Sequence, residues 1–435
     1  MNKQDLKQRW LNFYVLGISY AVFYFSRYNL STAHPLLKQL IGLPYISYGA
    51  IVGTALLIYG LTVFLGGPLT DIIGGKKAIL AGSAGALTSN ILFGSLYFLV
   101  EKNITPGSSA IFKFGFNLTN MISIMTFVWG LNYFFQSFGA LAIVKINSAW
   151  YTKKERGTFS GRFGSVIQLG RMLVLLICPW ILYSLPWCYV FFIPALFQAI
   201  MFFLIWQLVE EHPSRHSHPS IKEALKAILN APKKEMILMC IFIALLTGMI
   251  RNGIEHQITV FFTKHFAVKA TEIKSYLPYQ IYAVLTPFAM ILSSLLSGPS
   301  SDKYFQSRRF PVMTGAFFLT FIGIFSLMFD MKNAFISSAL LVFIMFSIQG
   351  VNNILMGTLT ADLGGEKVSG SVTGMFDGAQ YIGGAFISYI IGIVLTKTDN
   401  WFYWPVILLI PSSLALIGST LLTKKENRVE YDLHT

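Results

Sequence analysis

Long apolar segments separated by short polar connections fill the whole chain. Most segments run for about twenty residues, the length that an α-helix needs to cross a hydrocarbon core of roughly 30 Å. Twelve spans are predicted, at 10–31, 48–69, 77–99, 119–143, 158–182, 187–208, 236–262, 276–297, 310–329, 334–357, 370–395 and 402–423. Because a bilayer offers no water to unpaired backbone groups, the pattern predicts an all-α membrane protein with twelve transmembrane helices.

The longest connection between spans, 209–235, follows the sixth span and divides the chain into two halves. A repeated pattern supports this division, since GPLTD at 67–71 and GPSSD at 298–302 stand 231 residues apart in a chain of 435. We therefore predict three parts: an N-terminal six-helix bundle at 1–208, a cytoplasmic linker at 209–235 and a C-terminal six-helix bundle at 236–435. Transporters whose halves move around a central site commonly have such a duplicated architecture.

The composition excludes a water-soluble globule, because only 12% of the residues are charged and 54% are hydrophobic. Soluble chains carry about 25% charged residues. The net charge of +14 does not predict a nucleic-acid partner here, since the basic residues cluster in short loops between spans. We find no nucleophile triad, metal cluster, phosphate-binding loop or ATP-binding motif. The sequence therefore predicts a protein that is not an enzyme and has no cofactor or metal.

The distribution of Lys and Arg predicts the orientation. With a cytoplasmic N-terminus, 21 of these residues fall on the cytoplasmic side and 8 on the opposite side. Positively charged loops remain in the cytoplasm, so we expect both termini there. The aromatic-rich and lysine-rich composition favours a bacterial chain, and we expect a monomer in contact with the lipid of the inner membrane.

Two arginines inside the spans form the main candidate site. Arg27 in span 1 and Arg251 in span 7 occupy equivalent spans, and their separation of 224 residues agrees with that of the repeated pattern. Placing such a charge at mid-bilayer costs roughly 2.5–3.5 kcal/mol, so it marks a pathway by default. Two planar guanidiniums facing each other would make a fork for a dianion. The alternative is that each arginine snorkels or forms an interhelical salt bridge.

Three further charges lie within the spans. Arg171 in span 5 is either a third contact to the substrate or the partner of a buried acid. Glu255, one turn after Arg251, either neutralises that arginine or takes up a proton when the substrate breaks its ion pair. Asp377 in span 11 needs a partner, for which Arg171 and Arg27 are candidates, and it is the second candidate for proton coupling.

Polar and aromatic side chains near these charges complete the predicted binding site. Amides and phenols at mid-depth suit a hydroxylated substrate, whereas most aromatic residues in spans face lipid or pack between helices. The substrate-binding candidates of this kind are Tyr24, Tyr28, Tyr59, Gln136 and Asn252.

The segment GPLTDIIGGKK at 67–77 resembles the signature loop between spans 2 and 3 of the major facilitator superfamily. The resemblance implies twelve helices in two pseudo-symmetric bundles. It also implies that Asp71 and Asp302 are gate residues, which bond to helix ends and basic loop residues while the cytoplasmic side is closed. The other gating candidates are Lys76, Lys77 and Arg156. A plain surface loop is the alternative, although the pattern recurs at matched positions.

Within that superfamily, the chain resembles the organophosphate:phosphate antiporters, which include glycerol-phosphate and hexose-phosphate carriers. The resemblance is carried by the stretches YFSRYN at 24–29, FQSFG to WYTKKERG at 135–157, RNGI at 251–254, and GSVTG to YIGG at 370–384. Two positions depart from the pattern of the family. Val63 stands where a lysine is usual in span 2, and Ile167 where a histidine is usual in span 5. The paired arginines remain.

These observations leave three hypotheses for function. The first is a secondary transporter that exchanges an organophosphate, such as a sugar or glycerol phosphate, for inorganic phosphate. The second is a proton-coupled symporter of a carboxylate, an amino acid or another polar nutrient, which the departures at Val63 and Ile167 favour. The third is a membrane sensor that binds a phosphorylated ligand without transporting it.

Overall fold

The computed structural model describes residues 3–103, 118–151, 156–211 and 234–434. These residues form thirteen α-helices and no β-strand. The helices are α1 Lys3–Ile41, α2 Tyr45–Ile73, α3 Gly75–Asn103, α4 Leu118–Trp150, α5 Arg156–Ser184, α6 Tyr189–Leu208, α7 Lys234–Glu255, α8 Ile258–His265, α9 Leu277–Tyr304, α10 Phe310–Asp330, α11 Ala334–Met356, α12 Thr358–Thr398 and α13 Tyr403–His434. Since α7 and α8 together form the seventh span, the helices correspond to the twelve predicted spans.

The surface of the helices is apolar. Ten helices of the described part are long and apolar enough to cross a membrane, and large side chains such as Phe127, Leu196 and Trp206 are more than half exposed on their outer faces. Two other long helices, α1 and α4, are more polar. Their polar side chains, such as Asn29 and Asn132, are buried in the interior. Lipid solvates such an outer surface, so the predicted all-α membrane fold is confirmed.

Several helices extend beyond their predicted spans. Helix α12 begins at Thr358, whereas the span was predicted to begin at 370. Hydropathy marks only the part of a helix that lies in the hydrocarbon region, and the backbone hydrogen bonds continue past it. The hydropathy pattern therefore located the spans but underestimated the lengths of the helices.

The prediction that span 7 is one continuous helix is wrong, because the helix breaks between Glu255 and Ile258. The carbonyl of His256, within the break, accepts a hydrogen bond of 2.7 Å from the hydroxyl of Tyr48 on α2. Irregular backbone is tolerated at membrane depth where protein groups satisfy it. The break thus lies in the interior and is stabilised by the other half of the chain.

The buried apolar residues form two clusters, one mostly in α1–α6 and the other mostly in α7–α13. Helices α2 and α12 join them: Tyr381 of α12 belongs to the first cluster and Tyr45 of α2 to the second. The three cysteines, Cys178, Cys188 and Cys240, are free and buried. Most of the predicted linker, 212–233, lies outside the described residues, so the domain boundaries stay a prediction.

Glycines bring α2 and α12 into close contact. A Cβ on Gly392 would lie 2.8 Å from the carbonyl oxygen of Tyr45 and 3.2 Å from the Cα of Gly49. A Cβ on Gly378 would lie 2.9 Å from the carbonyl oxygen of Gly60. Small residues allow such backbone approach between membrane helices, and here they hold the two halves together.

We expect Gly392→Val to destabilise the protein by ~1–3 kcal/mol or more, because the new side chain overlaps the backbone of α2. Thermal unfolding in detergent measures the effect. Gly315→Val is the matched control, since a Cβ on this exposed glycine of α10 meets nothing within 4 Å. Equal melting temperatures for the two variants would contradict the prediction.

Candidate functional site

Arg27 is held between the two bundles. Its guanidinium is 1% exposed; Nε donates to Oε1 of Gln136 on α4 at 2.9 Å, and Nη1 donates to the hydroxyl of Tyr381 on α12 at 3.0 Å. Nη2 is buried and has no hydrogen-bond partner among the described residues. The arginine is thus fixed in orientation and keeps one amino group available for an acceptor.

Aromatic rings surround the same guanidinium. The centroids of the Tyr24, Tyr59 and Tyr133 rings lie 5.2, 4.6 and 5.5 Å from Cζ of Arg27, within the range of cation–π attraction. The hydroxyl of Tyr59 is buried without a described partner. Tyr24 also lies 4.9 Å from Cζ of Arg171, so its ring contacts two cations.

A network of buried side-chain amides holds Arg27 in position. Gln136 donates to Oδ1 of Asn132 at 2.9 Å, and Asn132 donates to the carbonyl of Ser26 at 2.8 Å. Asn29 and Asn90 continue this network from α1 to α3 through a hydrogen bond of 2.9 Å. Because buried amides must find partners, the network fixes α1 relative to α3 and α4. Gln136 therefore positions Arg27.

Glu255 connects the bundles from the other side. Its Oε1 lies 2.6 Å from Nη1 of Arg171 on α5, and its Oε2 accepts a hydrogen bond of 2.7 Å from Tyr28 on α1. The distance to Nε of Arg251, its neighbour in the same helix, is 4.0 Å. Of the two roles considered for Arg171, the geometry gives it that of ion-pair partner, and that partner is Glu255.

Arg251 is buried but largely uncompensated. It is 6% exposed, and its guanidinium makes no hydrogen bond to the described part of the chain. Arg171 and Arg251 share the carboxylate of Glu255, and Arg171 and Arg27 share the ring of Tyr24, so the three cations lie close together beside the break in span 7. Neither Arg27 nor Arg251 faces lipid, which argues against a snorkelling role.

An internal cavity lies where α1, α5, α7, α8, α9 and α11 meet. Its volume is about 30 Å³, room for little more than one water molecule, and its lining includes Tyr28, Gln168, Arg171, Glu255, Tyr282 and Met290. Arg27 and Arg251 are not among the lining residues. The cavity therefore borders the ion pair of Arg171 and Glu255 between the bundles, and the two predicted anion-binding arginines do not line it.

Two predicted site residues form no described hydrogen bond or ion pair with the three arginines. Asn252 donates to the carbonyl of Gly248 at 3.0 Å and packs against Gly384, at the contact between α7 and α12. Asp377 is half-buried and forms no hydrogen bond or ion pair with the described residues. The expected pairing of Asp377 with Arg171 or Arg27 is therefore wrong, because Arg171 binds Glu255 and Arg27 binds neutral partners.

The predicted gate residues of the second half form a local network. Arg309 contacts Asp302 at 2.6 Å and donates to Asp362 at 3.0 Å. In the first half, the backbone amide of Lys76 donates to Glu211 at 2.6 Å, and Lys77 is exposed. The side chains of Asp71 and Arg156 lie outside the described residues. None of these described contacts joins the two bundles.

Sequence reasoning did not select Tyr381 or Ser31 for the site. Tyr381 binds Arg27, and Nδ1 of His256 lies 3.0 Å from the hydroxyl of Ser31. A signal was present for Tyr381, which follows Asp377 by four residues and so shares its helix face. No comparable signal marked Ser31, since single serines are common in spans.

The chain matches the family model described as Major Facilitator Superfamily over residues 16–388. It is 26% identical to the "Glycerol-3-phosphate transporter" of Bacillus subtilis, with 95% of this chain and 92% of that protein covered. It is 23% identical to the "Probable hexose phosphate transport protein" of Chlamydia muridarum, with 93% and 89% covered. Among solved structures, that of a D-xylose-proton symporter shares the fold, with a TM-score of 0.74, 13% identity, and 94% and 97% of the two chains covered.

We expect Glu255→Gln to destabilise the protein by ~3–5 kcal/mol, because it leaves a buried guanidinium unpaired. The double variant Glu255→Gln/Arg171→Gln should recover much of this loss, since both charges are then absent. Denaturant unfolding in detergent measures the cycle.

The exposed pair of Lys269 and Glu272, 3.1 Å apart, provides the control for that cycle. Glu272→Gln should cost less than about 1 kcal/mol. Strictly additive losses in the buried cycle would show that Glu255 and Arg171 do not stabilise each other.

Proposed function

Because the chain belongs to the major facilitator superfamily, we propose that it is a secondary transporter that exchanges an organophosphate for inorganic phosphate by alternating access. The observation that carries the proposal is the pair of buried guanidiniums from equivalent spans, Arg27 and Arg251. Each keeps N–H donors without a described hydrogen-bond partner. The printed names of the two relatives, a glycerol-3-phosphate transporter and a probable hexose phosphate transport protein, point to the same substrate class.

The phosphate binds between these two guanidiniums. Arginine matches the geometry of phosphate oxygens and remains charged at any physiological pH. The free Nη2 of Arg27 and the hydroxyl of Tyr59 supply donors from the first bundle, and Arg251 supplies them from the second. In a water-excluded interior such charge-assisted hydrogen bonds are strong, and they compensate the cost of burying the cations.

The distribution of contacts fits a carrier that is closed on one side. Where α1 ends and α2 begins, the bundles touch: Lys38 lies 3.9 Å from Asp399, and the amide of Ile46 donates to Thr396 at 2.7 Å. The described gate residues at the opposite ends of the helices make no printed contact with the other bundle. With the N-terminus in the cytoplasm, this state is closed to the outside.

Exchange follows from the electrostatics of the empty site. Two positive guanidiniums repel each other, so closure of the bundles around an empty site is unfavourable. A phosphate dianion between them reverses the sign of the interaction. The binding site then switches from one side of the membrane to the other only when it is occupied, either by the organophosphate or by inorganic phosphate.

Proton-coupled symport of an organic anion is the second candidate, and the ion pair of Glu255 favours it. A substrate anion that competes for Arg171 would leave the carboxylate of Glu255 without its cation in a buried place. Such a carboxylate takes up a proton more readily, because burial penalises its charged form. Proton uptake would then accompany substrate binding.

Proteoliposomes loaded with inorganic phosphate separate these functions. Uptake of labelled glycerol 3-phosphate that requires internal phosphate supports exchange. Uptake that requires an inward proton gradient, with no internal phosphate, supports symport and contradicts exchange. Specific binding without uptake would contradict both and support a membrane sensor.

We expect Arg27→Lys and Arg251→Lys each to abolish exchange of phosphate, because an ammonium cannot provide the planar, bidentate donors of guanidinium. The measurement is the initial rate of labelled phosphate uptake at equal protein content. Arg308→Lys, in the loop between α9 and α10, is the matched control. Normal exchange by either buried variant would rule out the two-arginine site.

We expect Tyr59→Phe to raise the KM for phosphate by about ten-fold, because it removes a free donor near Arg27. Tyr133→Phe serves as the comparison, since the ring of Tyr133 also faces Arg27 but its hydroxyl already points to the carbonyl of that residue at 3.5 Å. It should change the KM by less than about three-fold. The reverse order would exclude Tyr59 from the binding site.

A further inference from the structure

We propose that the preferred substrate is a zwitterionic aminoalkyl phosphate, whose phosphate binds Arg27 and Arg251 and whose ammonium binds Asp377. This inference rests on the proposed function and names the class of organophosphate that the same site takes. It starts from an imbalance, because Asp377 is the carboxylate near the arginines that the described residues leave without a partner.

The position of Asp377 makes it part of the site. It lies on α12 one turn before Tyr381, whose hydroxyl accepts the hydrogen bond of Arg27, and residues four apart share a helix face. Arg27 and Arg251 are both near, since Arg27 binds Tyr381 and the helix of Arg251 packs against α12 at Gly248 and Asn252. No described ion pair, with a nitrogen–oxygen distance of at most 4.0 Å, joins Asp377 to Arg27 or Arg251. The two guanidiniums therefore do not neutralise the carboxylate by direct contact.

The backbone of α12 is fixed at this point. Gly374 and Gly378, on either side of Asp377, pack against α2: a Cβ on Gly378 would lie 2.9 Å from the carbonyl oxygen of Gly60, and one on Gly374 would lie 3.8 Å from that of Val63. The helix cannot easily rotate to carry the carboxylate away from the interior. Asp377 therefore stays beside the place where the phosphate binds.

The charge balance favours a substrate with one net negative charge. The described centre contains three arginines, Arg27, Arg171 and Arg251, and two carboxylates, Glu255 and Asp377, which gives a net charge of +1. A phosphate dianion alone would overcompensate this charge and stand beside an unpaired carboxylate. A phosphate dianion that also carries an ammonium has a net charge of −1 and leaves the closed site neutral.

Solvation explains why the carboxylate can remain unpaired before the substrate arrives. Asp377 is half-buried in this state, and we take its exposed part to face water. Closure of the bundles around the substrate expels that water, and an unpaired charge in a dry membrane interior is costly. An ammonium group on the substrate replaces the lost solvation by a charge-assisted hydrogen bond. A hydroxyl in the same place compensates the charge less well.

Competition between two matched compounds tests the inference. Phosphoethanolamine and 2-hydroxyethyl phosphate have the same carbon chain and differ in an ammonium against a hydroxyl. Each is added to proteoliposomes that exchange labelled inorganic phosphate. We expect phosphoethanolamine to inhibit at a concentration about ten-fold lower than its hydroxyl analogue in the wild type.

Variants assign that ratio to Asp377. In Asp377→Asn the two compounds should become equally potent within about two-fold, and Asp377→Glu should retain a preference for the amine. Asp330→Asn, at the exposed end of α10, removes a carboxylate remote from the arginines and should keep the wild-type ratio. If Asp377→Asn does not fold, the inference is tested by the ratio of inhibitory concentrations in the wild type and in Asp377→Glu.

Other outcomes overturn the inference. Equal potency of the two compounds in the wild type, or an unchanged ratio in Asp377→Asn, excludes an ammonium site at Asp377. A loss of proton dependence in Asp377→Asn with an unchanged ratio assigns the carboxylate to proton transfer instead. Absence of any phosphate exchange refutes the proposed function itself. Phosphate exchange that both compounds inhibit with equal potency refutes only this inference.

Discussion

An excess of positive charge in a membrane interior is the constraint on which the structure depends. Three arginines converge between the bundles, and the ion pair of Arg171 with Glu255 at 2.6 Å is the closest compensation that the described residues give them. Burying a charge without compensation is expensive. Aromatic rings and an amide surround Arg27, and Arg251 lies 4.0 Å from Glu255. Buried N–H donors of both arginines have no hydrogen-bond partner among the described residues, and in the proposed function an anion binds them.

The helices around this centre are built to hold it. Helix α1 is polar for a membrane helix because it carries Arg27, and its amides bind those of α3 and α4. The break between α7 and α8 gives up regular hydrogen bonds next to Glu255, and Tyr48 of the other bundle satisfies the exposed carbonyl. On the far side, the glycines of α2 and α12 let the bundles touch along their backbones. Local irregularity and close packing thus serve one purpose, which is to bring side chains of both halves to a common point.

The contacts across the bundles also connect binding with motion. Tyr28 and Arg171 of the first bundle both bind Glu255 of the second, and Tyr381 of the second binds Arg27 of the first. These contacts hold the bundles together, and in the proposed function a substrate anion that competes for the arginines rearranges them. Occupancy of the site and the relative position of the two halves are therefore coupled by the same few ion pairs and hydrogen bonds.

The sequence alone determined the all-α membrane fold, the approximate positions of the spans and the presence of Arg27 and Arg251 inside them, because hydropathy and intramembrane charge are local properties of the chain. It did not determine which charges pair. Glu255 has Arg251 one turn away in its own helix, yet Arg171 of the first bundle lies closer to it. Asp377 forms a described ion pair with neither of its expected partners. Nor did it predict the break in span 7. Pairing and helix breaks depend on distances between helices that are remote in sequence, and only the packed tertiary structure sets those distances.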